Sequence, residues 1–336
     1  MSKTTDSISE TSTGEAYKAL DIKGACDRIE TAQHPVLIMH SRPDGDTLGS
    51  AVALAKIFGI MGKRAICICP ESLPKRLAFL GEDFFTENYT ITTTNTLITV
   101  DVASPTQMGG LSSAMPVYMM IDHHDIRVPV ADSFVVPEAA ACGELIFDIA
   151  KELIRRGKIN KITESVADSL FAAISSDTGC FKYANVTPKT HRIAAELIEC
   201  GAHADEINHL LFDSKDIKQL KAESIALNNL EVYDNGKLAL TTITHAEKES
   251  AGIESEYFET AIDIVRSLRG VEIAMTIKEN SKGEYKVSLR SCGFNVAKIA
   301  EQFGGGGHLR ASGCTISAQS MEEAKKKLLS VFACDS

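Results

Sequence analysis

The apolar run Val36-Leu-Ile-Met39 leads straight into His40-Ser-Arg-Pro-Asp-Gly-Asp46, and a helical pattern over residues 48–58 follows. One imidazole and two carboxylates, all hard or borderline metal ligands, therefore stand at the carboxyl end of a buried strand, with Pro43 and Gly45 shaping the turn. The pattern recurs. Further strands are expected over 64–69, 97–100 and 117–121, with helix-like segments between them, the signature of a parallel sheet with crossover helices. Three of the four strands end in a candidate ligand: His40, Asp101, and Asp122-His123-His124. An open parallel sheet binds ligands outside the carboxyl ends of its strands, so these distant residues should converge on one crevice.

Helices are expected over 138–154, 163–175 with Thr163 as cap, and 188–200 closing at Gly201. The second of them exits at Ser176-Asp177-Thr-Gly179, which adds a carboxylate at a helix end. Residues 204–229 are polar and helical in pattern with no turn cluster, so they read as one connecting helix. Beyond them, Asn235-Gly236 is a hairpin-type turn signal. Stretches 238–244, 271–278 and 285–290 then read as strands of a mixed sheet, 295–302 as a helix, and 321–332 as the last helix. The class expected is α/β: a frayed tail over 1–14, a parallel-sheet α/β domain over 15–203, a helical linker over 204–230, and a smaller mixed-sheet α/β domain over 231–336. A chain of 336 residues with 44% hydrophobic content supports two packed cores.

Several classes are disfavoured. The net charge of -10 argues against a long basic track for nucleic acid, whose binding needs many phosphate contacts. No apolar run approaches the ~18 residues of a membrane helix. The first fourteen residues lack a basic leader and an apolar segment, so no signal peptide is expected. Nine cysteines without a C-x-x-C pair suit free thiols in a reducing cytoplasm, with Cys67 and Cys69 in the core.

As a set, His40, Asp44, Asp46, Asp101, His123 and Asp177 offer more ligand than one zinc ion takes, and oxygen-rich ligation with some imidazole suits two Mn2+, with Co2+ or Mg2+ as substitutes. Two such ions about 3.5 to 4 Å apart would hold a bridging hydroxide for in-line phosphoester hydrolysis. Each residue also has a plain structural role open to it: Asp44 and Asp46 as turn formers, Asp101 as an N-cap before Ser104-Pro105, Asp177 as a helix-terminal acid. Jointly those roles require four coincidences at strand or helix ends. A second constellation is Gly304-Gly305-Gly306-Gly307-His308, too permissive for mere structure, whose backbone N–H groups suit an anion or a nucleobase edge. Arg310 and Ser312 follow it, while Arg290 and Ser291 at a strand end and Asn295 at a helix start suit the same pocket, arginine gripping a terminal phosphate. His34, His191, His203, His209 and His245 show no carboxylate at ligand spacing.

These motifs together resemble the DHH phosphoesterases, in the two-domain branch with a DHH-associated C-terminal domain that includes nanoRNA oligoribonucleases and pAp phosphatases. The resemblance covers nearly all of residues 20–330. It implies that His40, Asp44 and Asp101 hold one Mn2+, and that Asp46, Asp101, His123 and Asp177 hold the other, with Asp101 bridging. It further implies that His124 meets the scissile phosphate or protonates the leaving oxygen, that Asp122 orients the imidazoles, and that Arg290, Ser291, Asn295, the glycines and His308 grip the nucleotide across an interdomain cleft. The expected activity is Mn2+-dependent hydrolysis of short oligonucleotides to mononucleotides, and of pAp to AMP. Partners are then short oligonucleotides or nucleotide bisphosphates, with no membrane, and a homodimer is compatible. Rivals are a cyclic or linear dinucleotide phosphodiesterase, an inorganic pyrophosphatase and a non-catalytic nucleotide sensor.

Overall fold

The computed structural model describes residues 17–86, 89–113, 116–125 and 128–332, and the chain divides into two compact units, one ending at Ser214 and the other beginning at Lys215. The expected tail over 1–14 lies outside the described residues.

The first unit opens with α1 (Ile22–Thr31), which the sequence reading did not anticipate; Asp21 caps it by accepting from Gly24 N at 2.8 Å. Strands β1 (Pro35–Ile38), β2 (Ile66–Ile68), β3 (Thr96–Val100), β4 (Met119–Asp122) and β5 (Ser133–Val135) form a five-stranded parallel sheet in the order β2-β1-β3-β4-β5. Strand β1 is buried at all four positions, as an inner strand of a doubly covered sheet must be, and this is why it reads as unbroken hydrophobicity. Strand β5 escaped the sequence reading because three residues starting at a serine carry no periodicity.

Helix α2 (Gly45–Ile60) lies between β1 and β2, and α3 (Cys142–Arg155), α4 (Glu164–Asp177) and α5 (Pro188–Glu199) follow β5. Helix α2 is buried on nearly every side and packs hard on α4. A Cβ at Gly49 would stand 2.5 Å from Ser169 O and 2.9 Å from Ala173 N, so only glycine lets the two backbones approach this closely. Gly45, read from sequence as a turn residue, does the same work: its Cβ would lie 2.4 Å from Ser176 Oγ. These contacts bring the first turn of α2 against the last turn of α4.

The expected single helix over 204–229 is broken. Helix α6 (Ala204–Asn208) runs into a π-helical turn (His209–Asp213), and after Ser214 a new helix, α7 (Ile217–Asn228), starts with its own cap, Asp216 accepting from Gln219 N at 2.8 Å. Helix α7 buries Ala222 and Ala226 in the second unit's core.

That second unit contains β6 (Glu231–Tyr233), β7 (Leu238–Ile243), α8 (His245–Ala251), α9 (Ala261–Arg266), β8 (Ile273–Ser281), β9 (Glu284–Ser291), α10 (Ala297–Glu301), β10 (Gly306–His308), β11 (Ala311–Ser317) and α11 (Met321–Ser330). Its sheet runs β10-β11-β9-β8-β7-β6, with β7–β8 parallel and the other pairs antiparallel. The glycine run is not the open loop expected of it. Gly306–His308 pairs with β11 as an edge strand. A Cβ at Gly305 would meet Gly313 O at 2.2 Å, and Gly307, at φ +138°, would meet Ala311 O at 2.6 Å, so two of the glycines are explained by close strand packing alone.

Candidate metal centre

The centre lies at the carboxyl ends of β1, β3 and β4 and the facing ends of α2 and α4. Asp44 caps α2, its Oδ1 accepting from Asp46 N at 3.1 Å and Thr47 N at 3.0 Å. Asp46, in the first turn, is 1% exposed and accepts from Cys142 N at 2.6 Å, Gly143 N at 3.0 Å and Ser50 Oγ at 2.9 Å, so the start of α3 and a serine one turn along α2 fix both its oxygens. Asp101 leaves β3 at φ +59°, a left-handed conformation that costs a non-glycine residue energy and points to a functional constraint. Its alternative role as an N-cap is taken by Gln107, whose Oε1 accepts from Ala103 N and Ser104 N at 2.7 and 3.1 Å.

The imidazoles are aimed by their Nδ1 atoms. His40 Nδ1 donates to Ser41 O at 2.8 Å and His123 Nδ1 to Ala139 O at 3.1 Å, which turns both Nε2 atoms toward the carboxylates. His123 Nε2 then stands 3.6 Å from Asp101 Oδ1 and 3.7 Å from both Asp46 Oδ2 and Asp177 Oδ2, while His40 Nε2 is 3.6 Å from Asp101 Oδ2. Those separations are too long for hydrogen bonds and match donors that share one ion at bonds of about 2.1 Å. His124 differs: its Nδ1 lies 2.6 Å from Asp122 Oδ1, which also accepts from the N–H of His123 at 2.8 Å.

At this centre three groups have ligand atoms mutually within 4.8 Å: His40 with Asp44 and Asp101; Asp46 with His123 and Asp177; and Asp101 with His123 and His124; a further group, Glu164 with Asp168 and His203, shares no residue with them. All six sequence-expected ligands therefore stand in one place, with Asp101 common to two groups. The electrostatics follow. Burial works to lower the His40 and His123 pKa values, but the neighbouring carboxylates, Asp101 foremost, hold both up at about 9. Burial and the other acids raise Asp46 well above the usual range, and burial lifts Asp177 to about 7. Asp101, ringed by imidazoles, is pulled below its usual range although burial opposes this. One observation tests whether a cation fits: Asp101 Oδ1 is buried without a hydrogen-bond partner. An orphaned buried carboxylate oxygen is costly, and a divalent cation on oxygen and imidazole donors satisfies it.

The sequence reading missed Thr47, Ser50, Gln107 and Asn185, whose Nδ2 donates to Ala140 O at 2.8 Å and Asp177 O at 3.2 Å. Ser50 carried a signal, four residues from Asp46 on one helix face; Asn185 carried none. The absence of carboxylates near the remaining histidines fails twice. His203 Nδ1 lies 3.2 Å from Asp168 Oδ1, and His245 Nε2 lies 3.3 Å from Glu249 Oε1 one turn along α8.

In the second unit, Arg290, at the end of β9, donates to Leu289 O at 3.0 Å and is half-buried; Arg310 is exposed. Asn295 Oδ1 accepts from Ala297 N at 3.2 Å, and Ser291 Oγ donates to Phe294 O. Ser312 is buried and its hydroxyl donates to Val296 O at 2.7 Å, which ties β11 to α10. Gly306 and Gly307 lie in the β10 edge strand, Gly305 immediately precedes it, and His308 ends it.

Residues 35–174 match the model of the DHH family, N-terminal domain, and residues 235–333 match that of the DHHA1 domain. The chain therefore joins a DHH-family N-terminal domain to a DHHA1 domain. It is similar to the bifunctional oligoribonuclease and PAP phosphatase NrnA of Thermus thermophilus, 28% identical over 310 residues that cover 90% of each chain. It is also similar to the cyclic-di-AMP phosphodiesterase PdeA of Listeria monocytogenes, 28% identical over 348 residues that cover 94% of this chain and 50% of that one. Among solved structures, an exopolyphosphatase-related protein from Bacteroides fragilis matches with a TM-score of 0.84 at 25% identity, covering 93% of this chain and 96% of that one.

Proposed function

We propose that the protein is a phosphoesterase dependent on two divalent cations, Mn2+ foremost, that cleaves very short oligonucleotides to mononucleotides and removes the 3'-phosphate of pAp. The observation that carries this reading is the gathering of Asp44, Asp46, Asp101 and Asp177 with His40 and His123, Asp101 standing 3.6 Å from each of the two imidazoles. His40, Asp44 and Asp101 would hold one cation, and Asp46, Asp101, His123 and Asp177 the other. When bound, the pair supplies an activated water and neutralises charge on the phosphoryl group. Asp122, fully buried, accepts from His124 Nδ1 and so selects Nε2 as the ring atom that donates to the leaving oxygen. Burial works to lower the pKa of His124, but this hydrogen bond and the charge of Asp101 raise it, which favours the proton-carrying form such a donor needs.

The N-terminal unit is proposed to carry the chemistry. Arg290, Ser291, Asn295, the residues of the β10 edge, Arg310 and Ser312 are proposed to serve the nucleotide, Ser312 and the glycines by shaping that edge. No described helix is long and apolar enough to cross a membrane, and a cytoplasmic enzyme is proposed. Similarity to the Listeria phosphodiesterase favours a second reading, hydrolysis of a cyclic dinucleotide. Turnover of pAp, linear oligonucleotides of graded length and a cyclic dinucleotide, each with Mn2+, Co2+ or Mg2+, separates the two. The first reading expects the highest kcat/KM on linear substrates of two to five nucleotides, and it fails if the cyclic dinucleotide is turned over faster.

A further inference from the structure

Thr47 is fully buried in the first turn of α2, where its backbone N–H serves the Asp44 cap and its hydroxyl is free of that duty. A threonine in a helix ordinarily turns its hydroxyl back to a carbonyl three or four residues earlier. Here the hydroxyl faces the ligands: Oγ1 is 2.5 Å from Asp101 Oδ2, 3.2 Å from Asp44 Oδ1, and in contact with His40 Nε2. Those three residues form one ligand group.

The distances decide what the hydroxyl is. Two donors bound to one ion at about 2.1 Å stand roughly 3 Å or more apart, because closer oxygens repel. The 3.6 Å between His40 Nε2 and Asp101 Oδ2 obeys this limit, and the 2.5 Å between Thr47 Oγ1 and Asp101 Oδ2 does not. Thr47 Oγ1 is therefore not arranged as a fourth ligand. It lies at the focus of the other three, within hydrogen-bond reach of both carboxylates and in contact with His40 Nε2.

We propose that Thr47 is the placeholder of the His40–Asp44–Asp101 group: its hydroxyl and a divalent cation compete for the same three ligand atoms, which makes this the weaker and more exchangeable of the two cation sites. The inference rests on the metal reading above. When the cation enters, rotation about χ1 carries the hydroxyl to the carbonyl of Pro43 or Asp44, the arrangement ordinary for helical threonine. Among the described residues, the hydroxyl bonded to Asp46 is that of Ser50, which binds the carboxylate from one turn along its own helix.

The test is a Mn2+ titration of the chelator-stripped full chain, read by calorimetry and by loss of the free-ion electron paramagnetic resonance signal. Wild-type protein is expected to take two ions with unequal affinities. T47A, which removes the competitor, should tighten the weaker site about tenfold and move the other less than about twofold. T47V, which keeps the side chain's shape but puts a methyl at the focus, should take one ion only. A purely supporting threonine would give weaker binding in both variants. A T47A site no tighter than wild type, or a T47V protein that still takes two ions, overturns the proposal. Should T47A fail to fold, T47V decides alone. If wild-type protein binds no Mn2+, the metal reading falls instead.

Discussion

The two units bury charge in opposite ways. In the first, Asp46, Asp101 and Asp122 are at most 2% exposed, and the ion-pair partners of Asp46, Asp101 and Asp177 among the described residues are all histidines. In the second, Lys278 is 5% exposed and pairs with Glu259 at 2.7 Å, Lys286 reaches the same carboxylate at 3.0 Å, and buried Lys248 donates to Glu279 O and Ser255 Oγ. Buried charge is tolerated when it is paired and hydrogen-bonded. The second cluster meets that condition from its own side chains. The first gathers carboxylates around imidazoles alone and leaves Asp101 Oδ1 buried with no hydrogen-bond partner, a demand that a bound cation would meet. A self-sufficient charge cluster is part of the fold, and a deficient one is a candidate binding site.

The sharpest way to break that contrast is Asp101→Asn. It is nearly isosteric, and it removes one anionic ligand from both proposed cation sites. Turnover should fall by about a thousandfold, the scale seen when a group that stabilises transition-state charge is lost. The folded protein should persist by circular dichroism. Turnover within tenfold of wild type would show that Asp101 is not shared between two ions.

Next in size is cation loading itself. Mn2+ at about 100 times its dissociation constant should stabilise the protein by about 2.7 kcal/mol. The gain should appear in hydrogen exchange at β1, β3 and α4 and not at β8 or β9. Equal protection of both units would contradict the claim that only the first is short of positive charge. Asp122→Asn should follow, lowering activity by about 10- to 100-fold, as loss of a group behind a reacting imidazole does. Because that effect runs through His124, the pH profile should shift along with the rate; a lower rate with an unmoved profile would assign Asp122 a packing role.

How far the sequence discloses this contrast depends on where charge partners sit. The first centre is readable because its ligands stand at strand and helix ends, where apolar runs stop abruptly; His40, Asp101 and the Asp122–His124 stretch are each flagged by the strand before them. What no local pattern could reveal is which of Asp101's two possible roles holds, since the competing cap, Gln107, acts from six residues away through a side chain typical of any surface. The glycine run misled in the other direction. Glycines suggest a phosphate cradle, yet Gly305 and Gly307 are required by the close backbone of β11, a partner identifiable only once the hairpin is formed. Likewise the 204–229 pattern hid its break, because Ser214, Lys215 and Asp216 are ordinary helix-surface residues until Asp216 turns to cap α7. The Lys278 cluster was invisible: a lysine inside an apolar strand looks like an edge residue until Glu259, from the segment before α9, folds over it.

The smallest effect expected is also the one that tests the second half of the contrast. Glu259 is about half exposed, and burial pushes its carboxyl up, but the charges of Lys278 and Lys286 prevail and hold its pKa below the usual range. A carboxylate whose folded pKa lies below its unfolded value binds protons more weakly when folded. Its contribution is therefore complete above the unfolded carboxylate range near ~4.3 and is lost as pH falls through the lower, folded value. Glu259→Gln should cost about 1 to 2 kcal/mol at pH 7, less than the loss of a fully buried partner because solvent screens this one. It should also flatten the acid side of the second unit's melting profile, which tryptophan cannot report because the chain has none, so β8 amide exchange is the measurement. Lys278→Met in the Glu259→Gln background should restore most of the loss, since an apolar side chain of similar length needs no counter-charge. If the double variant is no more stable than Glu259→Gln alone, the destabilisation did not arise from an uncompensated buried lysine, and the second cluster is not the self-balanced charge group that sets it apart from the metal centre.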